Sequence, residues 1–213
     1  MQLTTIQQAC VLVLPFVLAV TVHEVAHGYL AYRLGDDTAR REGRITLNPL
    51  KHLDPVGTLL VPLLSYLLGS AIFGWAKPVP VNPQNLNQPR RDLALIALAG
   101  PVANLCMAIL WAVAAKGSVE LLRTYPELIE LVTFIYYAGY AGLQINLAFA
   151  VFNLLPIPPL DGSRLINLGE ITRRYGFILL AILAASGLLF KILTPPILGL
   201  SRVITQLLHL PLG

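Results

Sequence analysis

The stretch Thr21-Val22-His23-Glu24-Val25-Ala26-His27-Gly28 sits inside an apolar run covering 6–34. Straight helix over such a run is about 42 Å long, more than a bilayer core needs. Yet three ionisable side chains within five positions carry a penalty of several kcal/mol in lipid unless they line a polar cavity. Histidines at i and i+4 share one helix face, close enough to grip one metal ion through their ring nitrogens. Glu24 lies between them and suits the removal of a proton from water that a metal activates. A metal-and-water site in an apolar helix points to hydrolysis within a bilayer. The same pair could instead be core histidines satisfied by backbone carbonyls, or a haem or transport site.

The rest of the chain supports the membrane reading. Of 213 residues, 56% are hydrophobic and 12% charged, and the mean hydropathy is +0.70. Soluble domains carry about 25% charged residues, so the expected class is an all-α polytopic membrane protein. A net charge of +4 does not imply nucleic acid, because basic residues flank membrane spans in any case. The lipid bilayer is the expected partner. Cys10 and Cys106 fall in apolar stretches and are expected as buried thiols rather than a disulfide. The start lacks the basic flank and early cleavage site of a signal peptide, so the first run is expected as a retained span.

About five to six membrane segments are expected. The clear spans are 6–34, 93–115 and 131–155. A further span is expected over 176–193, and Pro195-Pro196 should break the chain before a short segment at 197–210. The polar connection 36–55 contains 39–47, which could form a short hairpin or edge strand bent at Gly43. A second apolar run, 56–73, is followed by Lys77-Pro78-Val79-Pro80-Val81-Asn82-Pro83, whose prolines favour extended backbone. Trp75 beside Lys77 resembles an interfacial anchor.

Charge placement sets an orientation. Arg40, Arg41, Arg44 and Lys51 follow the first span, and nothing charged precedes it, so the N-terminus lies outside and the first connection in the cytoplasm. Arg90 and Arg91 are cytoplasmic too if 56–89 is a re-entrant or broken element, as polar backbone at membrane depth permits when covered. The His23–His27 turn and Asp161 then meet at one depth, toward the cytoplasmic face.

A catalytic zinc takes three protein ligands and keeps a position for water. Besides His23 and His27 the chain has His52, His209 and five aspartates. Asp161 is the best third ligand, because it ends a charge-free span and Gly162 lets the backbone turn. Its alternative role is a helix cap. His52-Leu53-Asp54 could reach the site or a second metal, or form a solvated loop.

His23-Glu24-Val25-Ala26-His27, Gly100-Pro101-Val102-Ala103-Asn104 and Asn153 through Pro156 to Asp161-Gly162 together resemble the site-2 protease family of intramembrane zinc metalloproteases. The resemblance covers 1–170 as the protease core, leaving 171–213 as C-terminal membrane segments. It is to a compact form without a PDZ-like or nucleotide-sensing domain. The resemblance implies one zinc ion held by His23, His27 and Asp161, with Glu24 as general base. It also makes Asn153 and Asn104 candidates for steadying the oxyanion or the substrate, although Asn104 could pack helices or orient a neighbour. It further implies single-span membrane-protein substrates cleaved in regulated intramembrane proteolysis in a prokaryotic cell membrane. Such a substrate helix must unwind, and 39–47 or 76–82 could hold the extended segment by backbone pairing. The alternative is a metal transporter or metal-binding membrane protein, which an ionisable path through later spans would favour.

Overall fold

The computed structural model describes residues 3–60, 76–166 and 170–210. Helix α1, Thr5–Arg33, opens on a capping box in which Thr4 and Gln7 satisfy each other's backbone N–H. It runs through Pro15 and ends at Leu34, where Gly35 takes a φ of +111°. A single turn, α2 (Thr38–Arg41), and a 3-10 turn, Pro49–His52, follow. Helix α3, Pro89–Thr124, is 36 residues long and contains Pro101. It is followed by α4 (Ile129–Asn153), the 3-10 turn Asp161–Arg164, α5 (Glu170–Ala185) and α6 (Leu188–Leu207).

Among the described residues, four helical stretches are long and apolar enough to cross a membrane: Thr5–Arg33, Pro89–Thr124, Pro126–Asn153 and Leu188–Leu207. Helices α3 and α4 share the largest interface, α1 lies across both, and α6 packs on α4. The interior is made of small residues. Ala108, Ala112 and Ala115 of α3 meet Leu143 and Leu147 of α4, while Val102, Ile109, Leu110 and Val113 face outward. That distribution suits a lipid solvent, where close backbone approach rather than water exclusion holds helices together. A Cβ on Gly142 would sit 2.3 Å from the Trp111 ring, so α4 accepts the indole only because that position is glycine.

Several expectations are corrected. No strand or hairpin forms among the described residues. The 39–47 stretch starts with the α2 turn, because Arg41 N–H closes onto Asp37 O at 2.9 Å and a helical turn satisfies its own backbone. Gly43 does form a bend, at φ +62°. Residues 76–82 are extended but pair with side chains and loop carbonyls instead of a ladder. Pro195 and Pro196 do not break the chain: both lie inside α6. The break falls at Gly187, whose φ of +72° lets α5 end without a Cβ clash. A membrane helix tolerates proline where local adjustment and its neighbours re-satisfy the freed carbonyls. Cys10 and Cys106 are free but exposed on outer helix faces, positions where a thiol meets lipid as readily as core.

The expected excursion over 56–89 and the Trp75 anchor fall partly outside the described residues. Its two ends are described. Pro55–Leu60 forms a wide helical turn, and Lys77 N–H donates to His52 O at 2.9 Å. The stretch between His52 and Lys77 therefore starts and finishes at the same place.

Candidate metal centre

His23 and His27 are buried on α1, one turn apart, with their rings edge to face at 4.6 Å between centroids. Both face the start of α3, and the reason is local to Gly100. A Cβ there would lie 2.5 Å from His23 Cε1 and from His27 Nε2, so the two imidazoles occupy the volume that any larger residue would need.

Each ring is fixed by a hydrogen bond from Nδ1. His27 Nδ1–H donates to the Ile96 carbonyl at 2.6 Å, in the turn of α3 that Pro101 disturbs. A carbonyl only accepts, so the proton sits on Nδ1 and the Nε2 lone pair is left for the site. His23 Nδ1–H donates to Asn104 Oδ1 at 2.6 Å. The Asn104 amide has one sense only, since its Nδ2 donates to Ala19 O at 3.1 Å and to Asn146 Oδ1 at 3.0 Å. Asn146 Nδ2 in turn donates to Gly142 O at 2.8 Å.

Asp161 arrives from the far side of the bundle, on the 3-10 turn beyond α4. Gly162 serves a close approach rather than a turn: a Cβ there would lie 2.2 Å from Leu154 O. Asp161 Oδ2 lies 3.1 Å from each histidine Nε2, and the two Nε2 atoms are 3.0 Å apart. The three edges are near the roughly 3.3 Å edge of a tetrahedron with metal–ligand bonds of about 2.0–2.1 Å. Three acceptor atoms converging this closely, with both Nδ1 protons turned outward, call for a cation between them. Two imidazoles and one carboxylate form a donor set suited to zinc with an open position. Among the described residues this is the cluster able to hold a metal ion.

Glu24 points elsewhere on the same helix. Its Oε2 accepts from Val79 N–H at 2.8 Å, where residues 76–82 cross α1. Val79 fits against Gly28, on which a Cβ would lie 2.9 Å from Val79 Cγ1. The crossing segment is pinned on both sides. Arg44 Nη2 donates to Lys77 O at 2.8 Å and to Pro78 O at 3.3 Å, and Asn82 N–H donates to Asp36 Oδ2 at 2.6 Å. Asp36 is fully buried. Burial alone would raise its pKa, but hydrogen bonds from the Thr38 hydroxyl, Asn85, and the Asn82 and Thr38 backbone hold it below the usual carboxylate range.

The remaining candidates lie apart from the triad. Asn153, the last residue of α4, donates to Phe149 O at 3.1 Å. His52 is buried and bonded to Thr46 O at 2.9 Å, and it does not join the metal cluster. Asp54 accepts from Val56 and Gly57 N–H at the Pro55–Leu60 turn. Sequence reasoning missed Asn146, the Ile96 carbonyl and the Val79 N–H. Only Asn146 left a signal, as an amide in the middle of an apolar span.

A sequence model of peptidase family M50 matches residues 11–177. The chain is 43% identical to zinc metalloprotease YwhC of Bacillus subtilis (strain 168) over 161 residues, covering 73% of this chain and 67% of that protein. It is 33% identical to zinc metalloprotease Rip2 of Mycobacterium tuberculosis (strain H37Rv) over 148 residues, 69% of this chain and 52% of that protein. The match to MJ0611 of Methanocaldococcus jannaschii covers 34% of this chain and 32% of that one, at 37% identity. The chain thus spans between about half and two thirds of the length of YwhC and Rip2. No solved structure matches it significantly. The chain belongs to peptidase family M50, the site-2 protease family. It is a zinc metalloendopeptidase with membrane-spanning helices, which sets aside the transporter alternative.

Proposed function

We propose that the chain hydrolyses peptide bonds within or near the transmembrane segments of single-span membrane proteins, as a regulated intramembrane protease. The observation that carries this reading is the buried His23, His27 and Asp161 triad inside helices whose outer faces bear large apolar side chains. His23 and His27 would hold zinc through Nε2, and Asp161 through Oδ2. Bound zinc supplies the positive charge that polarises a scissile carbonyl and acidifies water. Glu24 accepts the proton of the attacking water and returns it to the leaving amine. Val79 N–H fixes one Glu24 oxygen and so aims the other. Asn104 keeps His23 in its metal-facing tautomer, since its buried amide is committed to His23, Ala19 and Asn146. Asn153 is the candidate donor to the oxyanion or the substrate backbone.

The extended 76–82 segment crosses α1 beside Glu24, which supports it as the rail for an unwound substrate. The arginines beside the helix ends support a site that faces the cytoplasm, in a prokaryotic cell membrane. A panel of tagged single-span proteins reconstituted with wild type or Glu24→Gln in lipid vesicles tests the reading. Wild type is expected to cut at least one within its apolar segment, and Glu24→Gln none at equal zinc content. Cleavage by both, or only of soluble unfolded polypeptides, contradicts it.

A further inference from the structure

We infer, on the proposed reading of the metal site, that Phe149 backed by Phe16 walls the subsite for one particular substrate residue. That residue lies on the bilayer-centre side of the scissile bond, and the wall sets which side chains are accepted there. Phe149 of α4 fills the crevice between α4 and α1. Its ring stands edge to face on Phe16, at 5.6 Å between centroids, and on His23, at 6.5 Å. Phe16 and His23 are about 10.5 Å apart along α1, so the Phe149 ring sits between them. Phe16 lies toward the middle of the 29-residue α1 and is 44% exposed, while Phe149 is half-buried. The three rings therefore run from the outer surface of the bundle, at mid-span, to a ligand of the metal site.

The site is bounded differently on its two sides along α1. Toward the end of the helix, residues 76–82 cross at Glu24 and Gly28 and offer backbone groups and a carboxylate. Toward the middle, Phe149 offers only an aromatic ring. A polypeptide drawn out across the metal would meet 76–82 on one flank of the scissile bond and Phe149 on the other. The Phe149 flank gives no partner to a polar or charged side chain, so burying one there is costly. The ring also limits the depth left for an apolar one, so small apolar residues fit best. Asn153, the candidate donor to the substrate, lies one turn along α4 and donates to Phe149 O at 3.1 Å. Wall and candidate donor thus project from one helix end.

The probe is a single-span protein cut by the wild-type chain in lipid vesicles, with the cleaved bond located by mass spectrometry. Glycine, alanine, leucine and phenylalanine are placed in turn on each side of that bond, and kcat/KM is measured for each. On the bilayer-centre side the wild type should prefer alanine to phenylalanine. Phe149→Ala should move that ratio toward phenylalanine by at least about tenfold, the scale on which an apolar pocket tells side chains apart. Phe149→Leu keeps a shallower wall and should move it in the same direction, which preserves the test if the alanine variant does not fold. Phe16→Ala removes the backing without touching His23 and should move the ratio about threefold. Preferences on the other side of the bond should stay as in wild type. An equal fall for every substrate, with or without loss of zinc, would make Phe149 a packing partner of His23 and overturn the inference. An unchanged ratio in the alanine and leucine variants would overturn it too, as would an equal shift on both sides of the bond. Cleavage of no single-span protein by the wild type is a different failure, which overturns the proposed function and this subsite with it.

Discussion

His23, His27 and Asp161 are held by groups inside the helical bundle, whereas Glu24, one residue along the same helix, is held by a loop. The ligand side uses buried partners with no freedom: the Ile96 carbonyl, the Asn104 amide and, behind it, Asn146. The base side depends on Val79 N–H, and Val79 stays in place because Arg44 and Asp36 grip the residues on either side of it. In the proposed mechanism, metal binding and proton transfer therefore have separate supports, although their side chains are neighbours. A rigid ligand set suits an ion that must stay.

Variants that strike one support and spare the other can break this separation. The largest effect is expected at Gly100. Gly100→Ala puts a methyl where the two imidazoles lie, so zinc affinity should fall by more than about a hundredfold, read by chelator competition. Retained zinc would mean that the histidines can withdraw from α3 without losing the ion.

Arg44→Ala is expected to act on the other side. It frees the Lys77 and Pro78 carbonyls and lets Val79 drift from Glu24. Turnover should fall about tenfold, since a small misplacement of a reacting group costs that much or more, while zinc content stays at the wild-type level. Loss of zinc in this variant would join the two supports into one.

The smallest expected effect concerns Asp36. Its pKa is lowered in the fold, so its stabilisation is fully present above its unfolded value of about 3.9 and is lost as pH falls through the lower folded value. Limited proteolysis of residues 76–88 should therefore stay slow in wild type down to about pH 4 and then rise. Asp36→Asn should be cut faster at pH 7, with a weaker dependence on acid. Identical profiles would show that Asp36 does not anchor the crossing segment.

The parts of the site legible in the sequence are those carried by distinctive side chains. His23 and His27 announce themselves by their spacing in an apolar helix, and Asp161 by ending a charge-free span. The charge pattern led to the expectation that these two regions share one depth, and the structure brings their ligand atoms together. The Ile96 carbonyl and Val79 N–H were beyond reach, because every residue has such groups and only tertiary packing selects one. Asn146 was visible as a residue but not as a partner, since two hydrogen bonds separate it from the metal face. The strand expected at 39–47 failed because Asp37 and Arg41 close a helical turn locally. The proline break failed because Gly187 offered an easier place to bend.

X-ray absorption at the zinc edge of the purified chain tests the proposed ligand set most directly. The spectrum should fit two imidazole nitrogens and one carboxylate oxygen with a further light-atom ligand at about 2.0–2.1 Å, and Asp161→Ala should lose an oxygen scatterer or the zinc itself. A spectrum with sulfur neighbours, or one that Asp161→Ala leaves unchanged, would contradict a zinc site built from His23, His27 and Asp161.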